Sequence, residues 1–461
     1  MKGRELKNLG LAGAQIKIAQ RVCQAAAGDG MSKSQIRDAL RAVVADPDAY
    51  TSHARFAELA ELLSTSNYVE RDEPAPWAMW GEDLDEKSIE QMRNACRLPV
   101  ARRGALMPDA HLGYGLPIGG VLATKDAIIP YAVGVDIACR MRLTVLDVPV
   151  DALERPAERA HLIGALEGET AFGIGAHFPS PRDHAVMDQD WGVTEVTARV
   201  KGKGRAQLGS SGSGNHFVEY GVLTLAEPDL GLEPGRYLAL LSHSGSRGAG
   251  ATVANHYSKL ARELHPELPP ELKHLAWLDM DSEHGQEYWA AMSLMGDYAA
   301  ANHEVIHREM VRALGAKSLV SVENHHNYCW RERHDGEEVY VHRKGATPAG
   351  VGVLGIIPGS MATPAYVVRG RGEERALRSA SHGAGRVMSR RQAHRTMRWD
   401  EVSAELQAAG VELLSAGLDE SPGVYKDINA VMNAQQDLVD VVARFQPRIV
   451  KMAPHGERPE D

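Results

Sequence analysis

Five stretches of the chain set metal- or phosphate-binding side chains among glycine and serine residues that permit close backbone approach. The first pairs Met107-Pro108-Asp109-Ala110-His111-Leu112-Gly113 with the nearby Gly134-Val135-Asp136-Ile137-Ala138-Cys139. Asp136 and Cys139 stand three residues apart, so a turn can aim both at one ion. A thiolate is a soft ligand able to bridge two ions, and a carboxylate is hard and anionic. The second stretch, LGSSGSGNHFVE over Leu208–Glu219, has a Gly/Ser loop whose N–H groups suit phosphate, and it delivers Asn215 and His216. Ser242-His243-Ser244-Gly245-Ser246-Arg247 offers an imidazole for a metal and a guanidinium for phosphate. Glu323-Asn324-His325-His326-Asn327-Tyr328 and Ser381-His382-Gly383-Ala384-Gly385-Arg386 complete the set. Singly, each reads as an ordinary turn or a structural buried cysteine. Jointly, Asp136, Cys139, His216, His243 and His326 make a donor set for two Mn²⁺- or Zn²⁺-type ions sharing the thiolate, with neutral imidazole the commonest ligand type.

Such a set needs a scaffold that gathers distant loops. From about residue 85, short β-branched runs alternate with Gly-rich turns at Gly120–Thr124, Ala127–Ile129, Met141–Val148, Tyr237–Leu241, Glu338–His342 and Gly350–Ile357. Helical patterns fall at 152–167, 248–264, 284–312, 390–395 and 399–409. No regular βαβ repetition links them. The expectation is an irregular α+β fold, one main domain over 85–461 with several mixed sheets and flanking helices. The long helices at 248–264 and 284–312 are expected to pack on each other or to cover a sheet. Residues 1–63 read as a small helical module, with Ile16, Ile18, Val22 and Cys23 on one face of a first helix. Ser34 is expected to cap a second helix carrying Ile36, Leu40, Val43 and Val44, and Phe56, Leu59, Leu62 and Leu63 mark a third. Residues 64–84, rich in polar residues, Pro and Trp, read as a linker.

Composition excludes some classes of function. The formal net charge of −10 is incompatible with a polybasic protein that binds nucleic acid by bulk charge. There are 20 histidines but only four cysteines, Cys23, Cys96, Cys139 and Cys329, none in a C-x-x-C pair, so no disulfide framework is expected. A reducing, cytoplasmic setting fits. No signal peptide and no membrane-spanning helix is read.

The strings MPDAHLGYG, GVDIACRM, LGSSGSGNHFVE, HSGSRG, ENHHNY, HRKGATPAG, IPGSM, HGAGR and YKD follow one another across about residues 85–451. In them the chain resembles the RtcB family of RNA ligases. The resemblance implies an RtcB-like catalytic domain that joins RNA 2′,3′-cyclic phosphate or 3′-phosphate ends to 5′-hydroxyl ends. It implies GTP as cosubstrate, two Mn²⁺ ions and a histidine–GMP intermediate. Carried onto this chain, it makes His382 the guanylylated nucleophile and Asp109 the group that orients it. Cys139 bridges the metals, Asp136 and His216 complete one site, and His243 and His326 the other. The implied guanylate pocket comprises Asn215, His216, Phe217, Val218, Glu219, His326, Asn327, Pro358, Gly359, Ser360, Met361, His382, Gly383, Ala384 and Gly385, with Tyr425 and Lys451.

General chemistry agrees. A histidine nucleophile needs its other ring nitrogen held by an acceptor, and metals near a triphosphate neutralise its charge. The Lys-x-Asp-Gly signature of lysine nucleotidyltransferases is absent, since Ile428 follows Lys426-Asp427. Three positions depart from the family pattern: Ala365 where Ser is common, Arg140 where Gly is common, and Met452 after Lys451. Candidate RNA phosphate contacts are Arg247, Arg386 and Arg390, and Lys201, Lys203, Arg205, Arg391 and Arg395, with a structural ion pair an equal alternative for Arg386 and a solvated face at least an equal one for Lys201 and Lys203. A monomer is the expected assembly, and the sequence does not decide whether an archease-type activator takes part. The rival readings are a dinuclear-metal phosphoesterase that is not guanylylated and a non-catalytic RNA-binding paralogue.

Overall fold

The computed structural model describes residues 1–457 apart from 8, 10, 12 and 65–68. The fold is α+β, with several mixed sheets. The larger main sheet runs in the order Leu354–Ile357, Ala365–Gly370, Val439–Met452, Phe217–Leu225, Gly235–Ser244, Arg140–Leu146, Ser318–His325. All these neighbours are antiparallel, and Glu412–Ser415 adds in parallel alongside Val439–Met452. A five-stranded sheet runs Trp77–Met79, Ala101–Tyr114, Leu116–Thr124, Glu337–Lys344, Tyr328–His334. A small ribbon pairs Ala346–Pro348 with Ser379–Ser381.

The helix Arg247–Leu264 meets the helix Glu283–Leu314 through apolar and aromatic contacts, with Tyr257 and Tyr288 ring centroids 5.1 Å apart. The second helix also covers the larger sheet, where His303 and His307 reach Ser242 and Thr144. Both expected packings therefore occur. Ser282 caps this helix by accepting from Gly285 N, and Gly315 closes it in the left-handed conformation, φ 61°.

The N-terminal helices Gly13–Gly28, Lys33–Ala45 and Ala57–Ser64 enclose a core of their own that includes Leu6, Val22, Cys23, Ile36, Leu40, Val43, Phe56 and Leu59. The cap of the second helix is Ser32, not Ser34. Ser32 accepts from Gln35 N while Gln35 accepts from Ser32 N, a reciprocal box that Ser34, already inside the helix, has no way to form. The stretch read as a linker holds the edge strand Trp77–Met79, which pairs in parallel with Gly104–Leu106; its residues 65–68 lie outside the described residues. Among the described residues no helix is long and apolar enough to cross a membrane, and Cys23, Cys96, Cys139 and Cys329 are all buried and form no disulfide.

Candidate active site

Strand register builds the metal-type cluster. Phe217 and Met141 both pair with His243, and Arg140 pairs with His325. Residues at one end of four adjacent strands are thereby gathered: His216 just before one, Cys139 just before another, His243 near the end of a third and His326 just after the fourth. Cys139 Sγ lies 3.3 Å from His216 Nε2 and 3.1 Å from His243 Nε2. His243 Nε2 faces His326 Nε2 at 3.1 Å, and His216 Nε2 is 3.1 Å from Asp136 Oδ2. Asp136 is held by Ser246 N, which donates to Oδ1 at 3.0 Å. Position 245 must be glycine, because a Cβ there would collide with the Asp136 carboxylate.

The donors fit a cation. His243 Nδ1 donates to Asn215 O (3.1 Å), which leaves its Nε2 lone pair toward Cys139. Burial pushes the His243 imidazole down to about 3, and it lowers His326 well below the usual histidine value, so protons do not supply positive charge here near neutrality. Burial opposes charge on Asp136, but the neighbouring His216 ring and the Arg247 guanidinium outweigh it and hold the carboxyl below the usual range. His326 Nδ1 is buried without a hydrogen-bond partner. Arg247 Nη1 donates to His216 Nδ1 at 3.1 Å, which directs the His216 proton toward Asp136. An ion bound there would displace that proton, as metal binding to imidazole generally does.

His382 follows the ribbon strand Ser379–Ser381. Its Nδ1 donates to Asp109 Oδ2 at 2.7 Å, and the His382 and Gly383 backbone N–H groups donate to the same oxygen at 3.1 and 3.3 Å. Asp109 is fully buried. The arrangement fixes the tautomer with the proton on Nδ1 and leaves the lone pair on Nε2. Gly385, with φ +75°, packs so tightly on the Asp109 carbonyl that a Cβ would overlap it. The His382 and His326 ring centroids are 4.9 Å apart, so the imidazole–carboxylate pair and the metal-type cluster adjoin.

Both open into one cavity of about 320 Å³, in the range of small-molecule sites. Asp136, Cys139, Asn215, His216, Phe217, Glu219, His243, His326, Asn327, Pro358–Met361, His382–Arg386, Arg390 and Tyr425 line it. Others stand back from it. Val218 packs in the apolar core, and Asp109 and Arg247 lie behind His382 and His216. Lys451 Nζ turns to the helix Pro156–Glu169, donating to Leu166 O at 3.2 Å. Arg386 Nη1 bonds Glu420 at 3.3 Å, and Arg390 pairs with Asp419 at 2.8 Å and with Glu420, so both guanidinium groups are engaged by carboxylates. Glu420 also accepts from the Tyr425 hydroxyl. Arg140 pairs with Glu323 at 3.5 Å, while Ala365 and Met452 line the cavity.

Sequence reasoning missed two lysines. Lys426 Nζ donates to Pro108 O (2.9 Å) and Ala110 O (2.8 Å), clamping the backbone on either side of Asp109. Lys344 lines the cavity, and burial pushes its ammonium down to about 7. Their place inside YKD and HRKGATPAG was the available signal.

Fold and site together describe an α+β protein that joins an imidazole–carboxylate pair to a thiol–imidazole donor cluster in one cavity. The sequence profile described as tRNA-splicing ligase RtcB matches residues 91–193 and 182–452. The RNA-splicing ligase RtcB of Escherichia coli (strain K12) is 36% identical over 417 residues, covering 83% of this chain and 97% of that protein. The tRNA-splicing ligase RtcB of Thermococcus kodakarensis is 32% identical over 439 residues, covering 78% and 90%. The RNA-splicing ligase RtcB of Mycobacterium tuberculosis is 32% identical over 427 residues, covering 77% and 98%. The chain belongs to the RtcB family.

Proposed function

We propose that this protein is an RNA ligase that joins a 2′,3′-cyclic phosphate or 3′-phosphate end to a 5′-hydroxyl end, using GTP and Mn²⁺ through a guanylylated His382. The observation that carries the reading is the 2.7 Å Asp109–His382 pair beside the Cys139, His216, His243 and His326 donors in a single cavity.

His382 Nε2 attacks the α-phosphorus of GTP. An N–P bond forms, the bond to the bridging oxygen breaks, and pyrophosphate leaves. Asp109 keeps the proton on Nδ1 and stabilises the positive charge that develops on the ring. Asp136, Cys139 and His216, with His243 and His326, would hold two Mn²⁺ ions, which supply charge neutralisation at the phosphates. The segments Asn215–Glu219, Pro358–Met361 and Gly383–Gly385, with Asn327 and Tyr425, hold the guanylate. Burial raises the Glu219 carboxyl well above its usual value, and a bound ligand that donates hydrogen bonds to it, as the guanine edge would, stabilises its ionised form. The cyclic phosphate is opened by water to a 3′-phosphate. That phosphate takes GMP from His382, and the 5′-hydroxyl oxygen then attacks it, releasing GMP and forming the new phosphodiester.

The test supplies two RNA oligonucleotides, one ending in a 3′-phosphate and one beginning with a 5′-hydroxyl, with GTP and Mn²⁺. Joining that requires GTP is expected, and His382→Ala abolishes it. Phosphate release without joining would instead support a phosphoesterase.

A further inference from the structure

The mouth of the cavity carries exposed apolar surface that the chemistry above does not use. Strand Ala101–Tyr114 ends with Leu112 and Tyr114 on one face, 50% and 67% exposed, and both line the cavity that holds His382. Beside Tyr114 stand Tyr131, centroids 6.4 Å apart and edge-on, and His274 at 5.6 Å, with 4.6 Å between these two.

The backbone beneath this display is tightly held. Gln91 donates to Gly113 O at 2.7 Å and accepts from Gly113 N at 3.1 Å. Lys344 Nζ donates to Tyr114 O at 2.7 Å and Leu116 O at 3.1 Å, and lies 5.0 Å from the Tyr131 ring centroid. Gly115 sits so close to His274 that a Cβ would come within 2.9 Å of it. Burying an ammonium to hold a turn whose tyrosine is mostly solvated is costly for a turn with no other role. It is what a preorganised binding surface requires. Exposed Lys273 adjoins His274, and Arg262 acts electrostatically on both Tyr131 and His274, so positive charge lies beside the rings.

We infer that Tyr114, with Leu112, Tyr131 and His274, is a stacking platform for an unpaired RNA nucleobase at the mouth of the cavity. Aromatic faces beside cations are the general means of holding single-stranded nucleic acid, because every base has a π-face and every linkage a phosphate. The inference rests on the RNA-ligase reading and names where its substrate strand leaves the site.

The test titrates short single-stranded RNA, with 2-aminopurine placed at one end position at a time, onto the full chain without GTP. Quenching is expected at one position. Tyr114→Ala abolishes that quenching and weakens binding about tenfold, and Tyr114→Trp retains both. An abasic residue at the same position weakens binding to the wild type by a similar factor but adds nothing to Tyr114→Ala. Unchanged affinity of Tyr114→Ala, or an equal abasic penalty in both proteins, overturns the platform. Because the readout is binding, failure of the wild type to join RNA counts against the ligase reading alone.

Discussion

The strand Gly235–Ser244 separates two groups of histidines that differ in what surrounds them. His243 faces the cavity, where a thiol, a carboxylate and two more imidazoles converge. Ser242 points the other way, toward the helix Glu283–Leu314. There its hydroxyl lies 3.0 Å from His303 Nδ1 and 2.9 Å from His307 Nε2, and Thr144 Oγ1 lies 2.8 Å from His307 Nδ1 and 2.9 Å from Ser321 Oγ. His303-Glu304-Val305-Ile306-His307 has the spelling of a helix-borne zinc site, yet Glu304 turns to His184 at 3.4 Å and the neighbours of the two rings are hydroxyls. Among the described residues, the one group of three His, Cys, Asp or Glu side chains with convergent ligand atoms is Cys139, His216 and His243. Anionic partners and an opening distinguish a metal-type site from a sealed hydrogen-bond network; histidine number and spacing do not.

The comparison can be broken most sharply at Cys139. Cys139→Ala is expected to take bound Mn²⁺ from two ions per chain to none, read by metal analysis after dialysis, while His307→Ala keeps both. Two ions retained in Cys139→Ala would remove the bridging role. Next comes Asp109→Asn, expected to slow His382 guanylylation about 10³-fold with metal content unchanged, since only the orienting acceptor is altered. On the sealed side, His307→Ala leaves the Thr144 and Ser242 hydroxyls short of a partner and opens a cavity. A loss of about 2–4 kcal/mol in urea unfolding is expected.

Acid sharpens the contrast further. Burial lowers His303 and His307 well below 6.5, so the unfolded chain takes up protons first as pH falls. Their contribution to stability is complete above pH 6.5 and is lost progressively below it. In metal-free protein, His307→Ala should flatten the decline below pH 6.5 by up to about 1.4 kcal/mol per pH unit. The smallest effect concerns Lys451, whose ammonium sits on carbonyls at the end of the helix Pro156–Glu169. Lys451→Met should cost about 0.3–1 kcal/mol of stability. A rise in KM for GTP without that loss would show instead that Lys451 swings to the nucleotide.

The site was more legible in the sequence than the scaffold. Cys139, His216, His243, His326 and His382 each stand beside a small or turn-forming residue, and Asp136 comes two residues after Gly134, so that local chemistry survives reading one segment at a time. The strand Ala101–Tyr114 was not read, because Gly104–Ala110 is buried without alternation and Pro108 interrupts it. The helix Glu195–Gln207 escaped because Gly202 and Gly204 weaken its signal; Gly204 is needed where Trp191 packs against it. The roles of Lys344, Lys426 and Arg386 depend on partners far away in sequence. Only the fold brings Lys426 to Pro108 or Arg386 to Glu420.

The account rests on His382 as the nucleophile, and one measurement addresses it directly. The protein is incubated with α-labelled GTP and Mn²⁺, quenched under alkaline conditions, and the labelled peptide mapped. The account predicts one acid-labile GMP per chain on His382, absent from His382→Ala. No adduct, or GMP found on Lys344 or any other residue, would contradict it.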